Sequence, residues 1–370
     1  MEEGLQYPKD IFETLDSIAQ FAREIVVSSS GLITRVRKEL VDKGLINKLD
    51  LDRDTERSIE GIDSAYSIHR TLSTQYMVLV AVGYSKKTPP RILVNVIPSL
   101  LSDYSDSIIG GLARLYELAL AYSSKSDIVI LDGSFISFLT DISDFWYRLS
   151  NDTNKAVQAT KKFLERGSID PKNVYNVAGS EDFTTKVLER GNVVALPKAS
   201  GSQDATRFVV DTLGIDHDIL DKFTDRSLFT MVLREGEYFV YHTSLREDLN
   251  IPSIRHPLLF GMSEFLGNRG SFSDRGGLTI AIYRPYSWTP AFKVEIPGKV
   301  SRDKVEEVLV ALSKSAKFAS IKEHFEQYMA DAIASRLVVR IHNIVSTIVR
   351  RTISEIDHNI ASLLYVDYRT

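Results

Sequence analysis

Between Asp127 and Ser134 the chain reads Asp-Ile-Val-Ile-Leu-Asp-Gly-Ser, and no other stretch restricts the fold as tightly. The run from Ile128 to Asp132 has the character of a short buried strand that ends on a carboxylate, and the Gly-Ser behind it forces a turn there. Asp132 is thereby placed at a strand tip. Just upstream, the segment Leu112 to Tyr122 predicts a helix that is apolar on nearly every side except at Glu117. A carboxylate in such surroundings is costly to bury unless its charge is offset, and a metal ion is one candidate. A further strand-tip acid is expected at Asp63, after Ser58-Ile59-Glu60-Gly61-Ile62. Three acids on a strand, a helix and a strand make a candidate metal site.

The order of elements around these acids is informative. Ser58 to Asp63, Gln75 to Gly83 and Arg91 to Ile97 read as three successive strands, with a turn-like connection from Ser85 to Pro90. The helix with Glu117 follows, and then the strand ending in Asp132, which a helical crossover places parallel to the first strand. The order β-β-β-α-β therefore predicts an α/β fold with a mixed sheet. Asp63 and Asp132 are expected side by side at one sheet edge, with Glu117 leaning over both. This is the carboxylate geometry of two-metal phosphoryl-transfer sites, whose ions lie about 4 Å apart, and the arrangement of ribonuclease H-like nucleases. Taken singly each acid has a plainer reading, because Asp before Gly at a strand end is a common turn signal and Glu117 alone reads as a partly exposed helix residue.

Composition narrows the alternatives. With 370 residues, one elaborated domain with appended helices is expected. The chain has no cysteine, which excludes disulfides, zinc ribbons, Fe–S ligation and thiolate nucleophiles, so any metal must be held by oxygen or imidazole. A net charge of -4 gives no global pull toward nucleic acid, although a groove can still be basic. No stretch approaches 18 uninterrupted apolar residues, and Glu2 and Glu3 stand where a signal peptide would be basic, so a cytoplasmic protein without membrane association is expected. A phosphate-loop NTPase is unsupported, since no Gly-x4-Gly-Lys-Ser/Thr occurs.

At Glu117-Leu118-Ala119-Leu120-Ala121, at Asp127 to Ser134 and at Asp63, the chain resembles the NurA nucleases. These work with HerA-type hexameric DNA translocases in archaeal and some bacterial DNA-end processing. The resemblance extends loosely from about residue 55 to 325 and implies a ribonuclease H-like fold. It implies metal binding by Asp63, Glu117 and Asp132, dependence on Mn²⁺ (with Mg²⁺ as the alternative), and 5′-to-3′ exonuclease and single-strand endonuclease activity on DNA. It also implies a homodimer around a central channel and a HerA-type ATPase as partner. Lys198, delivered by the apolar strand Asn192 to Pro197, resembles the family's phosphate-facing lysine, with a solvated loop lysine as the plainer reading. His324 corresponds by order to a histidine of the family's active site. The chain departs from the family in two places. Ser315 to Ser320 stands where relatives carry Gly-Tyr-Pro, and Ile62-Asp63-Ser64-Ala65 lacks the glycine of the first motif. A catalytically degenerate DNA-binding or translocase-binding subunit is therefore the alternative to an active nuclease.

The remaining segments suggest residues 1–52 as a helical arm able to dimerise, 53–318 as the core with insertions, and 319–370 as a C-terminal helical extension. Apolar residues recur at helical spacing from Ile11 to Ile25, and a second helical run is expected from Leu32 to Leu51. Helix-containing insertions are expected at 153–167 and 171–190. Leu228 to Arg234 and Tyr238 to Thr243 are expected to form a hairpin about Glu235-Gly236-Glu237, and Leu278 to Arg284 and Ala291 to Ile296 a further strand pair. Tyr283, Tyr286 and Trp288 are either base-stacking or core aromatics. Helices are expected at Arg302 to Ser313 and Ile321 to Arg351, the latter with an apolar stripe.

Overall fold

The computed structural model describes residues 20, 30–53, 56–70, 74–100, 105–151, 158, 183–197, 202–215, 223–244, 257–268, 270 and 273–356. Its frame is a nine-stranded mixed sheet. In chain order the strands are β1 (Ile46–Lys48), β2 (Ile59–Arg70), β3 (Thr74–Ser85), β4 (Thr88–Leu100), β5 (Ile128–Asp132), β6 (Val193–Leu196), β7 (Glu237–Thr243), β8 (Leu278–Arg284) and β9 (Phe292–Pro297). They lie across the sheet as β1-β7-β8-β9-β6-β5-β2-β3-β4. β2, β3 and β4 form an antiparallel meander, and β5 returns parallel to β2 on its other side, as the helical crossover requires.

Helices cover both faces. On one side pack α1 (described over 30–42), α2 (Ser105–Ser123), α3 (Phe135–Asn151), α4 (Phe183–Glu189), α5 (Asp204–Leu213), α6 (Asp225–Val232) and α7 (Pro257–Leu266). On the other side α8 (Arg302–Ser315) covers β5, β6, β8 and β9, and α9 (Phe325–Ile356) crosses β2 and β3. The strands obey the period of two that this sandwich demands. Val129 and Leu131 of β5 face α2, while Ile128 and Ile130 face α8. On β2, Ile62 points to the α2 side, so Asp63 points to the α9 side.

Gly61 explains how α9 comes so close. A Cβ there would overlap the backbone of Glu326 and Gln327, so any side chain at this position would lift the first turn of α9 off the sheet. Phe325–Thr352 is long and apolar enough to cross a membrane by composition, but Ala330, Ala334 and Val338 on its inner face are buried against Val80 and Val82.

Two local expectations are corrected. The run Leu32 to Leu51 is helical only to residue 42, after which Ile46-Asn47-Lys48 pairs with Phe239-Tyr238-Glu237 as an edge strand. The described part of the N-terminal arm is thus joined to the core, with Val36 and Leu40 fully buried and Arg37 Nη1 2.7 Å from Glu237 Oε2. Residues 228–234 are not a hairpin strand. Thr224 caps α6 in a reciprocal pair with Ser227, and Leu228, Phe229 and Val232 are buried at helical spacing, so only β7 remains of the expected hairpin, and it pairs with β8. The residues 1–19, 21–29, 159–182 and 198–201 lie outside the described residues, and with them Lys198 and most of the expected insertions.

Candidate active site

β5 stops at Asp132 while β2 runs on for seven residues beyond Asp63, so Asp63 is not the strand-tip residue its local sequence suggested. The parallel register Ile62↔Leu131 makes Asp63 and Asp132 successive neighbours at the point where β5 ends. Alternation along β5 puts both on the α9 face. Ser64 N donates to Asp63 Oδ1 at 2.8 Å, using an amide that has no strand beside it once β5 has ended. Behind Asp132 the chain turns at Gly133, with φ +120, and Ser134 opens α3 by accepting from Ser137 N at 3.0 Å. Glu295 of β9 completes this cap, accepting from Phe135 N at 2.9 Å. Its own carboxyl, fully buried, is pushed up to about 7 by desolvation against the pull of Lys293.

Glu117 comes from α2, on the opposite face, and is fully buried. Ser64 Oγ donates to its Oε1, and Arg114 Nη1, one turn earlier, donates to its Oε2 at 2.9 Å. The same guanidinium reaches the Asp132 carbonyl oxygen at 2.9 Å and Asp141 Oδ2 at 3.1 Å, and lies 4.7 Å from the centre of the Phe138 ring. Burial raises the Glu117 carboxyl above the usual glutamate range. Arg114 and Ser64 oppose this, and Asp132 adds to it. The carboxylate therefore turns to a fixed cation already in the protein. The sequence suggested three acids within a few ångströms of one another. Among the described residues no three acidic or histidine side chains converge closely enough to hold a metal ion, and Glu117 is instead paired with Arg114.

Asp63 and Asp132 open into a cavity of about 430 Å³ whose wall also carries Asp106, Asp141, Asp144 and Asp331. Arg114 is its one basic lining residue among those described. Six carboxylates against one guanidinium make a strongly anionic recess. It suits a hard divalent cation through oxygen donors and disfavours a bare phosphate. Sequence reasoning missed Arg114, although its position three residues before Glu117 on a helix is a recognisable ion-pair spacing. It also missed Asp331, which α9 brings from about two hundred residues downstream and for which no local signal exists.

His324 does not line this cavity. It is buried, with Nε2 2.6 Å from the Tyr283 hydroxyl and its ring 4.8 Å from that of Phe292. It lines a second cavity of about 160 Å³ with Leu196, Arg226, Lys293 and Gln327. Leu196 in its lining is the strand partner of Asp132. Tyr283 is fully buried and cannot stack on a base, whereas Tyr286 and Trp288 stack on each other with ring centres 4.7 Å apart.

No family model matches the sequence, and neither does any curated protein sequence. Among solved structures, the chain matches the NurA nuclease from Sulfolobus solfataricus at 15% identity and a TM-score of 0.55, covering 94% of this chain and 98% of that one. NurA with manganese matches at 13% identity and 0.50, covering 87% and 95%. NurA bound to dAMP and manganese matches at 12% and 0.50, covering 84% and 92%. The ribonuclease H-like α/β architecture expected from the β-β-β-α-β order is thus present here in the form seen in the NurA nuclease structures.

Proposed function

We propose that this protein is a metal-dependent deoxyribonuclease, a diverged NurA-type enzyme. One observation carries the reading: Asp63 and Asp132 stand at successive positions of two parallel strands and line one acidic cavity, on a fold shared with nuclease structures. The donors are all hard oxygens, which suits Mn²⁺ or Mg²⁺. Asp63 and Asp132 would hold the cation, and Glu117 would join them on release from Arg114. A divalent ion held by these residues would supply a lowered pKa to a bound water and charge stabilisation to the leaving oxygen. The chain's own residues do the rest. Ser64 orients Asp63 and Glu117 together, and Arg114, held in the cavity wall by the Asp132 carbonyl and Asp141, would meet a phosphate oxygen once Glu117 has left it. Lys198 and His324 assist at the phosphate in this reading.

The family resemblance extends the proposal to 5′-to-3′ exonuclease and single-strand endonuclease activity in DNA-end processing. It further suggests a HerA-type hexameric translocase as partner, a homodimer formed with the N-terminal arm, and a cytoplasmic location. A second reading is favoured by the Arg114–Glu117 pair: a protein in which the guanidinium permanently replaces the metal would be a DNA-binding or translocase-binding subunit without activity. Incubation with labelled single- and double-stranded DNA, with and without Mn²⁺, separates the two. Mn²⁺-dependent cleavage that disappears in Asp132→Ala is expected. Cleavage by Asp132→Ala at the wild-type rate would remove the site as drawn, and no cleavage by wild type under any metal would leave the subunit reading.

A further inference from the structure

The hairpin that joins β8 to β9 carries two aromatic rings that the acidic recess does not use. It reads Arg284-Pro285-Tyr286-Ser287-Trp288-Thr289-Pro290-Ala291, and between the two prolines the chain closes a turn in which Thr289 N donates to the Tyr286 carbonyl at 3.1 Å. Thr289 Oγ1 donates to the same carbonyl at 2.9 Å. Arg284 fastens the turn, its Nε donating to the Thr289 carbonyl at 3.1 Å and its Nη2 to the Ser287 carbonyl at 2.6 Å. The loop is therefore ordered before anything binds. On it the rings of Tyr286 and Trp288 lie within 2° of parallel. Tyr286 is half-buried, with its hydroxyl donating to the Ser313 carbonyl of α8 at 3.3 Å, whereas Trp288 is 51% exposed. A lone exposed apolar residue is ordinary on a protein surface. Trp288 differs because a rigid turn holds it flat on a second ring, which covers one face of the indole and leaves the other to solvent.

Strand directions place this pair at the end of the sheet where Asp132 lies. β5 and β6 run parallel and β9 runs antiparallel to β6, so the last residues of β5 and β6 and the first of β9 share one end of the sheet. The pairing of Tyr283 with Phe292 brings the end of β8 there as well. Contact with α8 sets the rings on the helix face that also carries Asp63 and Asp132. In the order β8-β9-β6-β5 the hairpin stands two to three strands from Asp132, about 10 to 14 Å at the usual strand spacing. A few nucleotides of one strand cover that span. We propose that Trp288, backed by Tyr286, is a stacking platform for an unpaired nucleobase of the DNA strand whose phosphate is presented at Asp63 and Asp132. The identity of the ligand rests on the nuclease reading. An indole face accepts any of the four bases, and a base inside a duplex is already stacked on both sides, so the platform favours single strands and frayed ends. Because the turn is ordered in advance, little conformational freedom is lost on binding. The affinity it adds does not depend on phosphate charge, which the six aspartates of the recess oppose.

The test uses the full chain in EDTA at low salt, with two fluorescent twelve-nucleotide probes followed by anisotropy: an oligothymidylate, and an abasic strand with the same phosphates. Wild type should bind the oligothymidylate about tenfold more tightly than the abasic strand, the scale of one base stacked on an aromatic ring. Trp288→Ala should lose that preference while its affinity for the abasic strand and its salt slope stay as in wild type, because no phosphate contact has gone. Trp288→Phe keeps a ring, so it should melt with wild type and retain most of the preference, which separates stacking from folding. The chain has two tryptophans. Oligothymidylate should quench wild-type indole fluorescence and leave that of Trp288→Phe unchanged. An equal preference in wild type and Trp288→Ala would overturn the proposal, as would no preference, or no binding, in wild type. Equal weakening of both probes in Trp288→Ala would also overturn it, since the residue would then act on the backbone or the fold. If Mn²⁺ never supports cleavage but Trp288→Ala loses the base preference, the nuclease reading falls and the platform stands. Cleavage by wild type with an unchanged preference in Trp288→Ala removes the platform and leaves the nuclease.

Discussion

Two glutamates are buried between β2 and α2, and they are handled differently. Glu60 is 4% exposed, accepts from Arg91 Nε at 2.8 Å and Nη2 at 2.6 Å on one oxygen, and from Ser124 on the other. Arg91 is in turn tied to Ser123 Oγ and the Leu120 carbonyl. Nothing in this cluster lines a described cavity. Glu117 has an arginine and a serine too, but its arginine is shared with the Asp132 carbonyl and with Asp141, and that arginine lines a recess in which acids outnumber bases six to one. The first cluster is a closed account of charge. The second is in excess of anion by design of the fold, and that excess distinguishes a site from a structural ion pair.

The largest expected effect falls on the open cluster. Asp132→Ala should reduce cleavage by at least about a hundredfold, the scale set by losing a group that acts in the transition state, while metal-free melting stays equal or rises because a repelling charge has gone. Equal Mn²⁺ stabilisation of both proteins would erase the distinction between the clusters. Next, Arg91→Met should cost about 3 kcal/mol by denaturant titration, since it strands the buried Glu60 carboxylate, with cleavage per folded molecule unaffected. Arg114→Met should cost less, about 2 kcal/mol, because Glu117 keeps its hydrogen bond from Ser64. Mn²⁺ should restore that loss and should not restore the loss in Arg91→Met. Identical responses to Mn²⁺ would show that both arginines are merely structural.

The smallest effect concerns pH. Folding raises the Glu117 carboxyl above its ordinary value of 4.5, so the stability linked to its protonation is present below that value and lost as pH rises through the raised one. Glu117→Gln has no such loss. In metal-free protein the two melting temperatures should coincide near pH 4, with the variant increasingly the more stable toward about pH 8. A constant difference across that range would show that burial does not raise the Glu117 carboxyl.

Much of this arrangement was legible in the residues. The β-β-β-α-β order and the pairing of Asp63 with Asp132 follow from strand runs and one helical crossover, which are local signals combined by a handedness rule. What was not legible depends on where a neighbour ends. Ser64 to Arg70 continues β2 because β3 pairs with it throughout, and nothing in the first strand's own sequence says that β5 stops at Asp132. The misread hairpin at 228–234 is different in kind. Thr224 and Ser227 announce a helix start, but the apolar run Leu228-Phe229 reads equally as strand until burial separates the two periods. Asp331 and Gln327 were beyond reach, since each is brought to its cavity by the tertiary seating of α9 over Gly61.

The continuation of β2 past the end of β5 has a further consequence for how this protein would fail on heating. Asp63 sits within an unbroken ladder with β3 from Gly61↔Tyr84 to Arg70↔Gln75, and not on a loop that frays early. Amide protons of such a segment exchange with solvent only when the whole domain opens. Loss of the Asp63 position on heating should accordingly track global unfolding, with no temperature range in which the fold survives and that position is lost.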